Sequence, residues 1–302
     1  MMASESMNGQ PGDTHKRNVA AFFSQSTRYW ADAYSAPGHD GESFDAYAKM
    51  RRKQLVLELL DRYAGGRQLT LLDVGCGPGL FLEEAACRGH KVYGVDLSEA
   101  MVREANGRLS PHVPGRIPCV QGDVENLPFE SKSMDVVLCL GVLPYLRDDG
   151  TGVAEIGRVL KNDGFGIVIM PNLIRLGNLL DPYYYLVRGW QYLWYRQFRA
   201  DAVNGRVLEP ERFATNSMFG IRRYTSSQIS SLFRHASFTV EETRGIDYGP
   251  FTFWKRRFLP DRISTAVSEL LVSLEKRSDR SWVTAMANEW VLCMTVTKNR
   301  LQ

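Results

Sequence analysis

The sequence predicts a doubly wound α/β fold with a mostly parallel sheet, and three observations carry that expectation. Apolar runs of strand length alternate with amphipathic runs of helix length from Leu69 to Met170. The first strand ends in the loop Gly75-Cys76-Gly77-Pro78-Gly79, and a helix pattern follows at once. The next strand, Lys91–Val95, ends in Asp96. The chain has 302 residues, 44% of them hydrophobic and 24% charged, which suits one elaborated globular domain or a domain with a cap.

The elements follow in order. Residues 1–17 are polar, lack the apolar core of a signal peptide and read as a disordered tail. The domain is expected over 18–302, with an N-terminal helical lid over 18–64. Asn18–Arg28 and Tyr47–Tyr63 have helical patterning, and Leu55, Val56, Leu59 and Leu60 give the second an apolar stripe. The turn-rich Ser35–Gly41 lies between them. Strands are expected at Leu69–Val74, Lys91–Val95, Ile117–Gln121, Asp135–Leu140 and Gly164–Met170. Helices are expected at Phe81–Arg88, Ser98–Leu109 and Gly150–Leu160. Thr225 and Gln228 make a capping box for a helix through Arg234. Strand patterning returns at Phe238–Arg244 and Glu289–Thr297. Two long connections, 171–223 and 245–288, are expected to be helical cap insertions. The second carries an amphipathic helix with Ile263, Val267, Leu270, Leu271 and Leu274 on one side.

The Gly loop and the acidic strand end describe a nucleoside site. Glycines at 75, 77 and 79 let the backbone approach a ligand, and the helix that follows offers free N–H groups to a carboxylate. The spacing departs from the dinucleotide fingerprint, because the third Gly comes one residue too early. It resembles the S-adenosylmethionine loop of class I methyltransferases. Leu71–Asn172 is similar to the small-molecule methyltransferase domain shared with ubiquinone and menaquinone biosynthesis methyltransferases. Asp123–Phe129 and Asp135–Tyr145 resemble that family's third and fourth motif regions, and Arg158–Gly164 its turn into the fifth strand. The likeness covers about a third of the chain well and the insertions poorly.

The resemblance implies a seven-stranded sheet whose last strand, Glu289–Thr297, is antiparallel. It implies S-adenosyl-L-methionine as cofactor. Asp73 then faces the methionine ammonium and Asp96 accepts from the ribose hydroxyls. Leu97 and Met101 pack on adenine or belong to the core. Asp123 takes the adenine amino group, with Val124 and Leu140 beside the cofactor. Cys76 reads as a small apolar filler.

Methyl transfer from a sulfonium needs alignment, dryness and, for a protonated acceptor, a base. Tyr145, after the fourth strand, and His39, in the N-terminal loop that folds over the cofactor in relatives, are the catalytic candidates, with Tyr248 a third. Each has a plainer reading: Tyr145 as a pocket-shaping aromatic, His39 as an exposed turn residue. Tyr29, Trp30 and Tyr34 either close on the sulfonium or anchor the first helix.

Several classes are disfavoured. The segment Cys139–Tyr145 lacks the Asn/Asp-Pro-Pro-aromatic motif of DNA amino-methylation, and Pro118-Cys119 falls in a strand rather than at a cytosine-methylating nucleophile. The five histidines form no metal-ligand spacing, so no metal is expected. The five cysteines are dispersed and odd in number, as in a reduced cytosolic protein. A net charge of +3 makes nucleic acid an unlikely partner. The segment Tyr183–Arg199 interleaves aromatics with Arg188, Arg196 and Arg199, and Trp254–Phe258 repeats the theme. Such a surface suits a lid over an apolar or phosphorylated acceptor, peripheral membrane contact, or simply a packed helical cap. The expected function is methyl transfer to a small, apolar, aromatic or lipid-linked acceptor, with O-methylation first. An RNA or protein methyltransferase and a catalytically silent cofactor-binding partner subunit are the alternatives. Oligomeric state is not legible.

Overall fold

The computed structural model describes residues 11–32, 43–187, 190, 221–254, 256–277 and 281–297. Nine strands are formed among them: β1 Thr70–Val74, β2 Lys91–Asp96, β3 Cys119–Gln121, β4 Met134–Leu140, β5 Leu160–Pro171, β6 Phe238–Gly245, β7 Thr252–Phe253, β8 Arg256–Arg257 and β9 Glu289–Val296. Seven make one sheet in the order β3-β2-β1-β4-β5-β9-β6, and β7 and β8 form a separate hairpin. β9 runs antiparallel to both its neighbours, and the other pairings in the sheet are parallel. This is the doubly wound, mostly parallel seven-stranded sheet with an antiparallel last strand that the sequence predicts.

Side chains alternate between two cores, as the two-residue period of a strand requires. On one face Leu72, Val137 and Val168 pack with Val153 and Ile156 of α6 (Asp149–Val159) and with Phe233 of the helix Ser226–His235. On the other, Leu71, Val136 and Ile167 pack with α3 (Phe44–Ala64), α4 (Leu80–Cys87) and α5 (Glu99–Leu109). The predicted capping box is formed: Thr225 accepts from Gln228 N–H, and the Gln228 side chain accepts from Thr225 N–H.

Three expectations are corrected. Helix α1 spans Pro11–Gln25, so residues 11–17 of the expected tail are helical. Proline suits a first helical turn because the N–H it lacks would find no helical partner there. β3 begins at Cys119, and Ile117 before it is 79% exposed. The Asn106 side chain brackets Cys119 by accepting from its N–H at 3.0 Å and donating to its carbonyl at 2.9 Å. The helix Asp261–Arg277 buries Ser264, Ser268, Val272 and Glu275, whereas Ile263 and Leu270 are 48% and 59% exposed. Its inward polar groups serve the backbone beneath. Ser268 Oγ accepts from Tyr248 N–H at 3.2 Å and Glu275 from Gly245 N–H at 2.9 Å.

The described parts of the two insertions touch each other. The Asp181 carboxylate accepts from Thr252 Oγ1 and Trp254 N–H, and Asn172 Nδ2 donates to the Ala285 and Ala287 carbonyls. Both sit at the carboxyl edge of the parallel strands. Since Pro171 pairs with Glu289, the first residue of β9 lies at that same edge.

Candidate active site

A cavity of about 880 Å³ opens along this edge, within the range of small-ligand sites. One half is built on β1 and β2. Gly75 N–H and Cys76 N–H donate to the Val95 carbonyl at 2.7 and 3.0 Å, which folds the loop back onto β2. Asp96 locks it: Oδ2 accepts from Gly77 N–H at 2.9 Å and Oδ1 from Ser98 N–H at 2.8 Å. Burial raises the Asp96 carboxyl above its usual value, and these backbone donors oppose the shift.

Asp73 lies at the floor. It is buried, and its Oδ1 has no hydrogen-bond partner among the described residues. Burial first, then the neighbouring Asp96 charge, push its carboxyl well above the ordinary range. A buried unpaired carboxyl is costly, and a ligand cation relieves that cost. The methionine ammonium of S-adenosylmethionine fits this position. At Gly77 an added Cβ would meet nothing within 4 Å, so the loop leaves room for a ligand against its backbone. Leu97, Met101, Val124 and Leu140 line the same half. Met101 and Val124 are also core residues.

Asp123 reaches the cavity with a partner already in place. Its Oδ2 pairs with Lys16 Nζ at 2.5 Å, and Lys16 also pairs with Glu125. The carboxylate expected for the adenine amino group is therefore shared with α1. That helix is tied down twice more. His15 Nε2 donates to the Tyr145 carbonyl at 2.8 Å, and the Ser24 and Ser98 hydroxyls share a 2.8 Å hydrogen bond. Phe23 meets the Tyr145 ring edge-on at 5.3 Å. His15, Lys16, Val19 and Phe23 thus roof the cavity, with Tyr29 and Trp30 of the next helix, Thr27–Asp32. Lys16→Ala is expected to loosen this roof and speed cofactor dissociation about 2- to 5-fold, since part-exposed ion pairs contribute up to about 1 kcal/mol. Stopped-flow displacement checks it, and an unchanged rate would show that the latch lies elsewhere.

The other half is built on β4, β5, β9 and β6. Tyr145 ends the short helix Leu143–Tyr145 after β4 and lines the wall with Phe44, Ile169 and Pro171. Burial raises its phenol above the ordinary value. A charged group lies beyond it: Arg52 from α3, Arg175, Arg223, Asp247 and Glu289. Arg52 and Glu289 form an ion pair. Asn288 Nδ2 donates to Asp247 Oδ1. Burial, then the Glu289 charge, push the Asp247 carboxyl up to about 7, against the pull of Asn288, Arg52 and Arg175.

Sequence reasoning missed His15 and Lys16, placed in the tail, and all five members of this charged group. Glu289 carried a signal: an antiparallel last strand begins where its parallel neighbours end. Of the catalytic candidates, Tyr145 lies in the cavity and His39 falls outside the described residues, as does Tyr34. Tyr248 is corrected. It is fully buried in the core, where its N–H is used by Ser268, and does not line the cavity. Of the segment Tyr183–Arg199, only residues 183–187 and 190 are described. Tyr183 packs on Trp254, and Trp190 is 70% exposed.

Comparison with known proteins agrees with this geometry. A family model described as a methyltransferase domain matches residues 72–168. A probable S-adenosylmethionine-dependent methyltransferase of Mycolicibacterium smegmatis is 26% identical over 199 residues, 66% of this chain and 62% of that protein. The chain thus spans less than two thirds of that relative. A ubiquinone biosynthesis O-methyltransferase of Chromobacterium violaceum is 28% identical over 227 residues, covering 74% of this chain and 85% of that protein. The Burkholderia thailandensis 1,6-didemethyltoxoflavin-N1-methyltransferase, solved with S-adenosylhomocysteine bound, shares the fold with a TM-score of 0.57 at 16% identity, over 98% of this chain and 95% of that one. The matched stretch runs from Leu72, within β1, through the Gly loop and β2, and it includes Asp73, Asp96 and Asp123, so this part of the chain is a methyltransferase domain with S-adenosylmethionine as its cofactor.

Proposed function

We propose that this chain transfers the methyl group of S-adenosylmethionine to a small acceptor with an apolar or aromatic body, at an oxygen first of all. The observation that carries the reading is the continuity of the cavity. It runs from Asp73 and the Gly loop, past Leu140 and Tyr145, to the charged group at β5 and β9. An acceptor bound there enters beneath α1, which suits a small molecule better than a nucleic acid. The bound cofactor supplies an electrophilic methyl group. Transfer of that methyl to an acceptor oxygen would leave S-adenosylhomocysteine and one proton, and the proton is what a residue of the cavity wall would have to take.

Asp247 suits that proton. A base works best when its pKa lies near the working pH. Tyr145, raised above an already high value, keeps its proton near neutrality and is placed to donate a hydrogen bond instead. The base role expected for it passes to Asp247 in this reading. Since Asp247 accepts a proton only when ionised, the rate is expected to rise with pH through about 7. Asp247→Asn is expected to remove that limb and lower the rate about 100-fold or more. A pH–rate profile checks both, and an unaltered limb in the variant would clear Asp247 of the role.

A second reading, a lipid-linked acceptor collected at a membrane surface, draws on the exposed Leu186, Trp190, Phe253 and Trp254 of the two insertions. No described helix is long and apolar enough to cross a membrane. Radiolabelled methyl transfer to lipid, aqueous small-molecule and RNA extracts tests the whole proposal. Label in the RNA fraction alone would overturn it.

A further inference from the structure

We propose that Arg175 and Arg223 form a subsite for an oxyanion on the acceptor, a carboxylate or a phosphate, at the end of the cavity away from the Gly loop. This rests on the methyl-transfer reading only in taking the ligand to be the acceptor.

Placement comes first. Arg175 follows β5, and Arg223 precedes Tyr224, which bridges to Asn172 just beyond the same strand. Both line the cavity. Arg175 Nε donates to Asn178 Oδ1 at 2.9 Å, which fixes the side chain and leaves its two Nη groups without a hydrogen bond among the described residues. The Arg223 guanidinium has neither a hydrogen bond nor an ion pair among the described residues.

Charge comes second. Three arginines face two carboxylates in this wall, and Arg52 is already paired with Glu289. Asp247 is held by Asn288 and is only partly ionised near neutrality. The end of the cavity is therefore net positive. Burial and the nearby Arg175 charge together pull Arg223 down to about 10. Two guanidinium groups are held near each other in a half-buried wall against their own repulsion. An anion between them removes both the repulsion and the missing hydrogen bonds. The planar guanidinium matches a carboxylate or phosphate with two parallel hydrogen bonds, which an ammonium does not. Arg188, Arg196 and Arg199, in the segment that suits a lid over a phosphorylated acceptor, lie outside the described residues and take no part in this subsite.

The test uses the full chain saturated with S-adenosylhomocysteine, titrated calorimetrically with benzoate, phenyl phosphate and neutral benzamide. At least one anion is expected to bind about tenfold or more tightly than benzamide, and the better of the two identifies the group. Arg175→Gln and Arg223→Gln are each expected to lose most of that preference with the affinity for S-adenosylhomocysteine unchanged. Arg223→Lys, which keeps the charge, is expected to retain part of it, as a folding defect would not. Benzamide binding as well as the anions, no saturable binding of either anion, or full preference in both Gln variants overturns the subsite. S-adenosylhomocysteine binding is read separately. Its absence in the wild-type chain would instead bring down the methyl-transfer reading and the subsite with it.

Discussion

Asp73→Asn is expected to bind S-adenosylmethionine about 10- to 100-fold more weakly, the about 1.5–3 kcal/mol of a charged hydrogen bond. The carboxyl is buried, and its Oδ1 has no partner among the described residues until a cation arrives. The same substitution is expected to make the cofactor-free protein more stable in alkaline buffer. The folded state holds the Asp73 proton well above the usual range, while the unfolded chain releases it near about 3.9. Between those two values the folded state binds more protons, so this residue's contribution to stability falls as pH rises. Asparagine has no such decline. Calorimetry measures the first effect, and melting curves from acid to alkaline pH without cofactor measure the second. Unchanged affinity in a folded Asp73→Asn protein would remove the ammonium from this site.

Gly75→Ala is expected to lower the melting temperature by roughly 5–15 °C, whereas Gly77→Ala lowers cofactor affinity with a smaller thermal effect. Both residues have positive φ, +70° and +52°, which disfavours alanine at either. They differ in surroundings. A Cβ on Gly75 would stand 2.3 Å from Val142 Cγ2. Relieving that overlap costs about 1–3 kcal/mol beyond the backbone strain. Val142 leads into the turn that carries Tyr145, so the shift is felt in both halves of the cavity. A Cβ on Gly77 enters open space, where the cofactor must pass. Thermal melts and calorimetry on the two variants separate the cases. Equal melting temperatures would show that the loop relaxes freely around position 75.

These residues also show what the sequence makes legible. The sheet, its helices and the cofactor half are local matters. Strand period, a glycine loop and an acid at a strand end lie within a few residues of one another, and each constrains the backbone directly. The other half of the cavity is lined by Arg52, Arg175, Arg223, Asp247 and Glu289, which share no spacing. Only the order in which β9 enters the sheet brings them together. Helix Asp261–Arg277 misled for a related reason. Its inner face is chosen by the unpaired backbone N–H groups of Gly245 and Tyr248, which Glu275 and Ser268 satisfy. No count of apolar residues sees that demand. Lys16 carries no sequence signal, because a polar segment looks alike whether it is solvated or clamped onto Asp123.

The antiparallel insertion of β9 also governs how the molecule is assembled in time. Strands β1 to β5 are joined by short crossovers and can pair as the chain emerges, with Asp73, Asp96 and Asp123 already set among them. β9 must then enter between β5 and β6, after a long loop has closed. Until it does, Arg52 has no Glu289 and Met170 no Trp290 across the ladder. In chain order, the strands that hold the cofactor loop, β1 and β2, therefore precede the strand that completes the far wall of the cavity.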